Sequence, residues 1–398
     1  MFCIAGKNDI AVEIAEHALN ILGKKSLKLI KNSTDTCEDS WQKSLWKFGN
    51  DNGIEVITLE DAYNIDDLIF LSLEFDKIID PEKFNTDNLY NIHFSLLPKY
   101  KGMYTSYWPL RNGEDHSGVT LHRIDHGIDT GNIIAQKKFI IGSGMTCREL
   151  YSAYLENGIV LIKEWFHELV NSKITCSPQP SQYSSYYSKK TLNFSTLKID
   201  LNQTAFDIKN QVRSLVFREY QLPKINNQSI THIEIKNSRS LQKHGTILKE
   251  DEWSMELSTV DYDIKCYKDN LADLIYSCEM DDINKVRQFI EFNYNLNDQN
   301  EKGWTPLIVA SYHGNYNIVN LLLENGADPN LSNFKGTTPL MYAKDYCIKN
   351  KEYKLIHLLL SKGADINKKD YKNYNIFDYL KLNYTKTETE KIEEILYY

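Results

Sequence analysis

Short unbroken apolar runs alternate with longer amphipathic stretches as far as Val170, and period-two alternation takes over beyond the Pro178–Pro180 link. Phe2–Ala5 reads as a buried strand that turns at Gly6, and Val12, Ile14, Ala15, Ala18, Leu19 and Leu22 then recur at helical spacing. Asp67–Leu73 is a second buried run and Tyr90–Phe94 a third. Thr146-Cys-Arg-Glu149 is a capping box, and the helix it starts carries Leu150, Tyr151, Tyr154, Leu155, Ile159, Ile162, Trp165, Phe166, Leu169 and Val170. Strands separated by helices predict an α/β domain with a parallel-type sheet over residues 1–180. Within 181–267, Ile208, Val212, Leu215 and Val216 mark an amphipathic helix. Alternating runs at Thr231–Ile235, Gly245–Leu248, Met255–Leu257 and Tyr262–Cys266 then predict a small antiparallel β-hairpin module.

From residue 268 the chain repeats itself. Gly303-Trp-Thr305-Pro306-Leu-Ile-Val-Ala310 returns as Gly336-Thr-Thr338-Pro339-Leu-Met-Tyr-Ala343, a shift of 33 (338 − 305), and Leu321–Asn330 returns as Leu358–Asn367, a shift of 37 (358 − 321). The period and the words resemble ankyrin repeats. An insertion at Cys347–Glu352 accounts for the longer shift, and Leu271–Asn297 and Tyr374–Tyr398 read as degenerate capping units of an all-α domain over 268–398. Ile308 and Met341 stand where that family carries histidine, which puts the usual turn hydrogen bond in question. An exposed Trp304 at a hairpin tip, with Tyr312, His313 and Tyr346 nearby in the inner-helix positions, offers aromatic surface to a second ligand; a protein partner or a stabilising role are the alternatives.

The chemistry concentrates between Asn91 and Ile134. Strand side chains alternate, so Asn91 and His93 share one face while Tyr90, Ile92 and Phe94 share the other. The run breaks at Leu97-Pro98, passes Gly102, and returns through Val119–Ile124 to Asp125-His-Gly127-Ile128-Asp129-Thr-Gly131. One strand end and one tight loop thus deliver an amide, an imidazole and a carboxylate. An amine attacking an acyl carbon needs a donor for the developing oxyanion, a proton acceptor, and a group that orients the acceptor. Asn91, His93 and Asp129 are the candidates in that order, with no metal required. The alternative is a polar pair capping the end of a sheet strand.

Asn-x-His-x-Ser-Leu-Leu-Pro followed, 36 positions after the histidine (129 − 93), by the acid of Asp-x-Gly-x-Asp-x-Gly resembles the catalytic signature of formyltransferases that use N10-formyltetrahydrofolate. The resemblance implies a Rossmann-like catalytic domain with Asn91, His93 and Asp129 as the catalytic trio. Ser72-Leu-Glu-Phe-Asp-Lys-Ile-Ile79 resembles the version of the folate-side strand in the sugar-nucleotide branch, and the resemblance puts Leu73, Phe75, Lys77, Ile79, Gly127 and Ile128 at the folate. Lys77 serves equally for a substrate phosphate, and the apolar members of the set equally for core packing. The later segment with Tyr186, Tyr187, Lys190, Arg213, Phe217 and Tyr220 resembles the region where that branch contacts its nucleotide; the turn Gly6-Lys7-Asn8 offers amides and a lysine to a phosphate or is an ordinary strand-to-helix turn, and the aromatic, hydroxyl- and lysine-bearing loop with Tyr104 and Trp108 suits a sugar pocket. Read without the resemblance, Trp108 covers the sheet and Arg213 and Phe217 belong to an ordinary helix and its packing. The resemblance implies a dTDP-linked amino-dideoxyhexose as acceptor, dTDP-3-amino-3,6-dideoxy-D-glucose first among them, in O-antigen and lipopolysaccharide synthesis, with a homodimer formed through the small β module. Another small amine, or an ankyrin scaffold carrying an inert transferase domain, are the alternatives.

The 398 residues, 42% of them hydrophobic, suffice for two or three cores. A net charge of −8 disfavours a nucleic-acid or anionic-membrane surface. Seven scattered cysteines without a C-x-x-C pair indicate neither a disulfide framework nor a zinc site. Charge at Lys7 and Asp9 interrupts any leader-like apolar start, so the expectation is a soluble cytoplasmic protein.

Overall fold

The structure, a computed structural model, describes residues 1–397. Its contacts divide the chain into two units, residues 1–38 with 42–269, and residues 39–41 with the chain from Asn270 onward. The first unit therefore holds the 1–180 segment, apart from residues 39–41, together with the 181–267 segment.

In the first unit a seven-stranded sheet is built from β1 (Phe2–Gly6), β2 (Leu27–Lys31), β3 (Glu55–Val56), β4 (Ile69–Leu73) and β5 (Leu89–His93), and, beyond the short β6 (Lys101–Gly102), from β7 (His116–Arg123) and β8 (Ile133–Ile140). The spatial order is β3-β2-β1-β4-β5-β7-β8. The first five strands run parallel, whereas β5–β7 and β7–β8 pair antiparallel, so the sheet is mixed. All five residues of β1 and of β4 are buried, as parallel strands covered on both faces require. Gly6 is a glycine for want of room: a Cβ there would lie 2.0 Å from the Leu73 carbonyl oxygen. The helix Cys147–Val170 starts at the expected box, where Thr146 Oγ1 accepts from Glu149 N–H and Glu149 Oε2 from Thr146 N–H. It buries Leu150, Tyr154, Leu161, Ile162, Phe166 and Leu169, and Tyr154 stacks on Phe94 at 5.3 Å.

Chain order then leads through β9 (Tyr186–Tyr187), which pairs with β6, to β10 (Lys224–Ile225), β11 (Gln228–Ile235), β12 (Ile247–Glu250), β13 (Ser254–Leu257) and β14 (Ile264–Lys268). The last five form a second sheet in the order β10-β11-β14-β13-β12. Its inner face, with Ile230, Ile233, Met255, Leu257 and Ile264, closes on Ile208 and Val212 of the helix Ala205–Arg213.

The second unit is made of helix pairs: Leu271–Glu279 with Ile283–Glu291, Pro306–His313 with Tyr316–Glu324, Pro339–Asn350 with Lys354–Ser361, and Ile376–Asn383 with Lys386–Tyr397. Thr305 and Thr338 cap the repeat helices by accepting from Ile308 and Met341 N–H. Ile308 and Met341 themselves are buried, so hydrocarbon packing replaces the histidine. The insertion lengthens one inner helix to 12 residues against 8 in the preceding repeat. The hairpin tip recurs three times: the side chains of Asn300, Asn333 and Asp370 each accept from the N–H groups two and four residues on. No helix among the described residues is long and apolar enough to cross a membrane.

Candidate active site

β5 carries Asn91 and His93 to its carboxyl end, and antiparallel pairing sets Asn91 opposite His122 and His93 opposite Thr120 of β7. Thr120 Oγ1 donates to the Ser95 carbonyl at 2.6 Å and accepts from Leu97 N–H at 3.1 Å, which turns the chain sharply behind His93. The following loop comes back over the site. Tyr100, in the left-handed region at φ 59°, sets its carbonyl oxygen 2.8 Å from His93 Nε2. Gly102 N–H donates to Asp129 Oδ2 at 2.8 Å. A Cβ on Gly102 would lie 2.3 Å from the Tyr187 carbonyl oxygen, so β6 reaches this position only as glycine.

Asp129 is the centre of the group. Its Oδ1 lies 3.4 Å from His93 Nδ1, 3.5 Å from Asn91 Nδ2 and 3.6 Å from His122 Nε2. Burial alone raises the carboxyl pKa, but the His93 and His122 imidazoles and the Gly102 N–H outweigh it and hold Asp129 well below the usual carboxylate range. A carbonyl oxygen only accepts, so the proton of neutral His93 sits on Nε2 and faces Tyr100, leaving the Nδ1 lone pair as the base. On protonation Nδ1 gains a carboxylate partner already in place. Asn91 donates to His122 Nε2 at 3.1 Å, and its contact with Asp129 is long enough to yield to a better acceptor. His122 in turn faces the Arg123 carbonyl through Nδ1 at 2.7 Å. The group as a whole offers one amide donor, one base and one fixed anion, which suits transfer of an acyl group to an amine.

The family model for formyl transferase matches residues 44–164, and that for ankyrin repeats matches three copies within 257–333 and 274–370. The N-formyltransferase of Helicobacter canadensis, solved with folinic acid and dTDP-3-aminofucose, is 44% identical over 67% of this chain and 99% of its own, with a TM-score of 0.63. WlaRD, a sugar 3N-formyl transferase solved with dTDP and 5-N-formyl-THF, is 45% identical over 68% and 97%, with a TM-score of 0.64. This chain belongs to the N-formyltransferases. Among curated relatives, the methionyl-tRNA formyltransferase of Alkaliphilus oremlandii is 32% identical over 153 residues, 37% of this chain and 49% of that protein. One from Clostridium perfringens is 28% identical over 206 residues and 66% of its length, so the chain spans about half to two thirds of these relatives.

Around the trio of this N-formyltransferase, the other expected site residues divide by exposure. Lys77, Gly127, Ile128, Tyr186, Lys190 and Tyr220 are exposed. Tyr187 stacks on Trp108 at 4.1 Å and on Tyr100 at 5.9 Å, and Tyr104 packs edge-on to Phe194. Leu73 and Ile79 are core residues, with Phe75 half-buried against the same cluster as Ile79, so Leu73 and Ile79 have backbone rather than side chains to offer a pterin. Ile78, 81% exposed, is the uncovered apolar side chain of that segment. Asn8 is buried, its amide donating to Glu74 and to Tyr151 Oη while its Oδ1 accepts from Ile10 N–H. Arg213 is also buried and donates to Asn210 Oδ1 and the Gly142 carbonyl. Phe217 is enclosed by Tyr151, Tyr220 and the Arg148 guanidinium.

His122 and Tyr100 complete the site without a role assigned from sequence, Gly102 is expected from sequence only as a loop glycine, and Gln179 reaches the Asp129 turn by donating to the Asp129 and Gly131 carbonyls at 2.8 Å. Polar Thr120 and His122 alternating inside the apolar run Val119–Ile124 were the available signal for His122. Gln179 lies in the Ser177–Pro180 link, whose composition gives no sign of it. In the second unit Trp304 is half-buried rather than exposed, with Tyr312 at 5.7 Å and Tyr342 at 5.2 Å. His313 lies against Tyr312 at 5.0 Å, whereas Tyr346 packs onto Gly314, so Tyr342 takes the third place in the cluster.

Proposed function

We propose that this protein transfers the formyl group of N10-formyltetrahydrofolate to the amino group of a dTDP-linked amino-dideoxyhexose, dTDP-3-amino-3,6-dideoxy-D-glucose foremost. The observation that carries the reading is the meeting of Asn91, His93 and Asp129 within 3.5 Å at the end of β5. The sugar nucleotide and folate named for the two similar structures support the substrate and donor classes. As the amine attacks the formyl carbon, Asn91 donates to the formyl oxygen and His93 Nδ1 takes the amine proton, with Asp129 stabilising the imidazolium; the tetrahedral adduct then collapses by breaking the bond between the formyl carbon and N10, and His93 returns the proton to N10 of the departing tetrahydrofolate. Ile78 and Ile128 supply exposed apolar surface for the folate; Lys77, Tyr186, Tyr187, Trp108, Lys190 and Tyr220 supply cations and rings for the nucleotide sugar. The product fits a cytoplasmic step in O-antigen sugar synthesis, carried out by a homodimer joined through the second sheet. Trp304, Tyr312 and Tyr342 pack on one another with centroids 5.2–5.7 Å apart, which supports a stabilising role or a protein partner for the repeats, with an additional ligand stacked on the outer aromatic surface as the second reading.

The test is incubation of the full chain with N10-formyltetrahydrofolate and a panel of 3-amino and 4-amino dTDP-sugars, glycinamide ribonucleotide and methionyl-tRNA, with mass spectrometry for one added formyl group. Transfer to the dTDP-amino sugars supports the reading. Transfer only to another amine reassigns the acceptor, and none at all leaves a scaffold.

A further inference from the structure

The turn that carries Asp129 is under constraint. Asp129 is left-handed at φ 54°, a region that side chains other than glycine rarely occupy. Asp125 Oδ1 ties down the near half of the loop by accepting from Gly127 N–H at 3.1 Å and Thr130 Oγ1 at 2.6 Å. The far half is held from outside. Gln179 Nε2 donates to the carbonyl of Asp129 at 2.8 Å and to that of Gly131 at 2.8 Å, so one carboxamide bridges the carbonyl groups of the two residues that flank Thr130.

The orientation of that amide follows from its partners, because only its NH2 end has protons for two carbonyl oxygens; Oε1 is buried with no hydrogen-bond partner. Leaving an acceptor unmet is the cost of spending both donors on the turn. Gln179 is itself brought into place by a bridge two residues earlier, where Ser177 and Ile133 exchange N–H···O bonds at 2.8 Å each. The link between helix and β9 is therefore built into the site.

We propose that Gln179 is a positioning residue for the transfer, clamping the 129–131 turn so that the Asp129 carboxylate stays aimed at His93 Nδ1. The inference rests on the function proposed above. It reaches the reaction only through Asp129: when the clamp is lost the turn relaxes, the carboxylate moves off the imidazole, and the cation formed as the amine loses its proton has no fixed partner.

The experiment compares wild type with Gln179→Met, which keeps the length and removes the donors, and Gln179→Glu, which keeps the shape and presents an acceptor to two carbonyls. With donor and acceptor each varied, kcat falls roughly ten- to a hundredfold, as for a group displaced by about 1 Å, and more in the Glu variant. KM for both substrates stays within about twofold. Gln179→Asn, which keeps the donors, recovers part of the rate. A kcat within twofold of wild type in folded Gln179→Met, a loss appearing in KM alone, or failure of both variants to fold would each overturn the proposal. Wild type that formylates no acceptor would refute the proposed function instead. The clamp is then read by NMR of the imidazole nitrogens at one pH: the His93 nitrogen signals in Gln179→Met move towards those in Asp129→Asn, and unmoved signals overturn it.

Discussion

His93 Nε2 faces the carbonyl oxygen of Tyr100 at 2.8 Å, and this one contact decides which ring nitrogen is the base. It leaves Nδ1, 3.4 Å from Asp129 Oδ1, to take the proton. A left-handed Tyr100 is what brings the carbonyl there, and its hydroxyl bond to Glu114 at 2.7 Å and its contact with Tyr187 hold it in that conformation.

Removal of members of the trio should therefore act on turnover. His93→Asn and Asp129→Asn are expected to lower kcat by ~10²–10⁴, the range for a general base and its partner, and Asn91→Ala by ~10²–10³ through loss of the oxyanion donor. Steady-state kinetics on folded variants checks this; a kcat within fivefold of wild type for His93→Asn would remove the base from the mechanism.

Acid stability should carry the signature of Asp129. Its carboxyl titrates below the usual range in the folded chain, so its contribution is fully present above the unfolded value of about 3.9 and is lost as the pH falls below that towards the folded value. Circular dichroism of chemical unfolding between neutral pH and the acid limit should show a shallower fall below about pH 4 for Asp129→Asn than for wild type. Parallel curves would contradict the depressed titration.

Gly6→Ala tests the closeness of β1 and β4. A methyl 2.0 Å from the Leu73 carbonyl must push the strands apart, at a cost of about 1–3 kcal/mol or more. Thermal unfolding should begin several degrees lower, whereas Gly142→Ala, where nothing lies within 4 Å, should melt like wild type.

Trp304→Ala removes one ring of the repeat cluster. If a ligand sits there, turnover at low substrate changes while the saturating rate holds, and calorimetry with dTDP alone loses one binding event. Identical titrations and kinetics would assign the cluster to packing or to a protein partner.

Tyr187→Ala removes the ring that stacks on Trp108 and lies beside Tyr100. The expected result is a raised KM for the nucleotide sugar together with a lower kcat, because the Tyr187 ring supports both the aromatic surface through Trp108 and the loop over His93 through Tyr100. A change in KM alone would separate the two.

The alternation along the chain was enough for most elements. Apolar runs gave β1, β4 and β5, the Thr146–Glu149 box gave the long helix, period-two runs gave β11 to β14, and a 33-residue repeat gave the helix pairs. These are local signals, written in consecutive residues. What the sequence left open is fixed by contacts between distant segments: His122 matters because antiparallel pairing sets it opposite Asn91, and Tyr100 because its backbone, which any residue would supply, points at His93. Gln179 joins the site by clamping a turn 48 to 50 residues away. Asn8 and Arg213 lead the other way, since each has the chemistry of a ligand contact and each is committed to internal hydrogen bonds once the chain packs. Residue type and spacing determine which groups are available; burial and partnering, decided only when separate segments close on one another, determine which of them remain free to act.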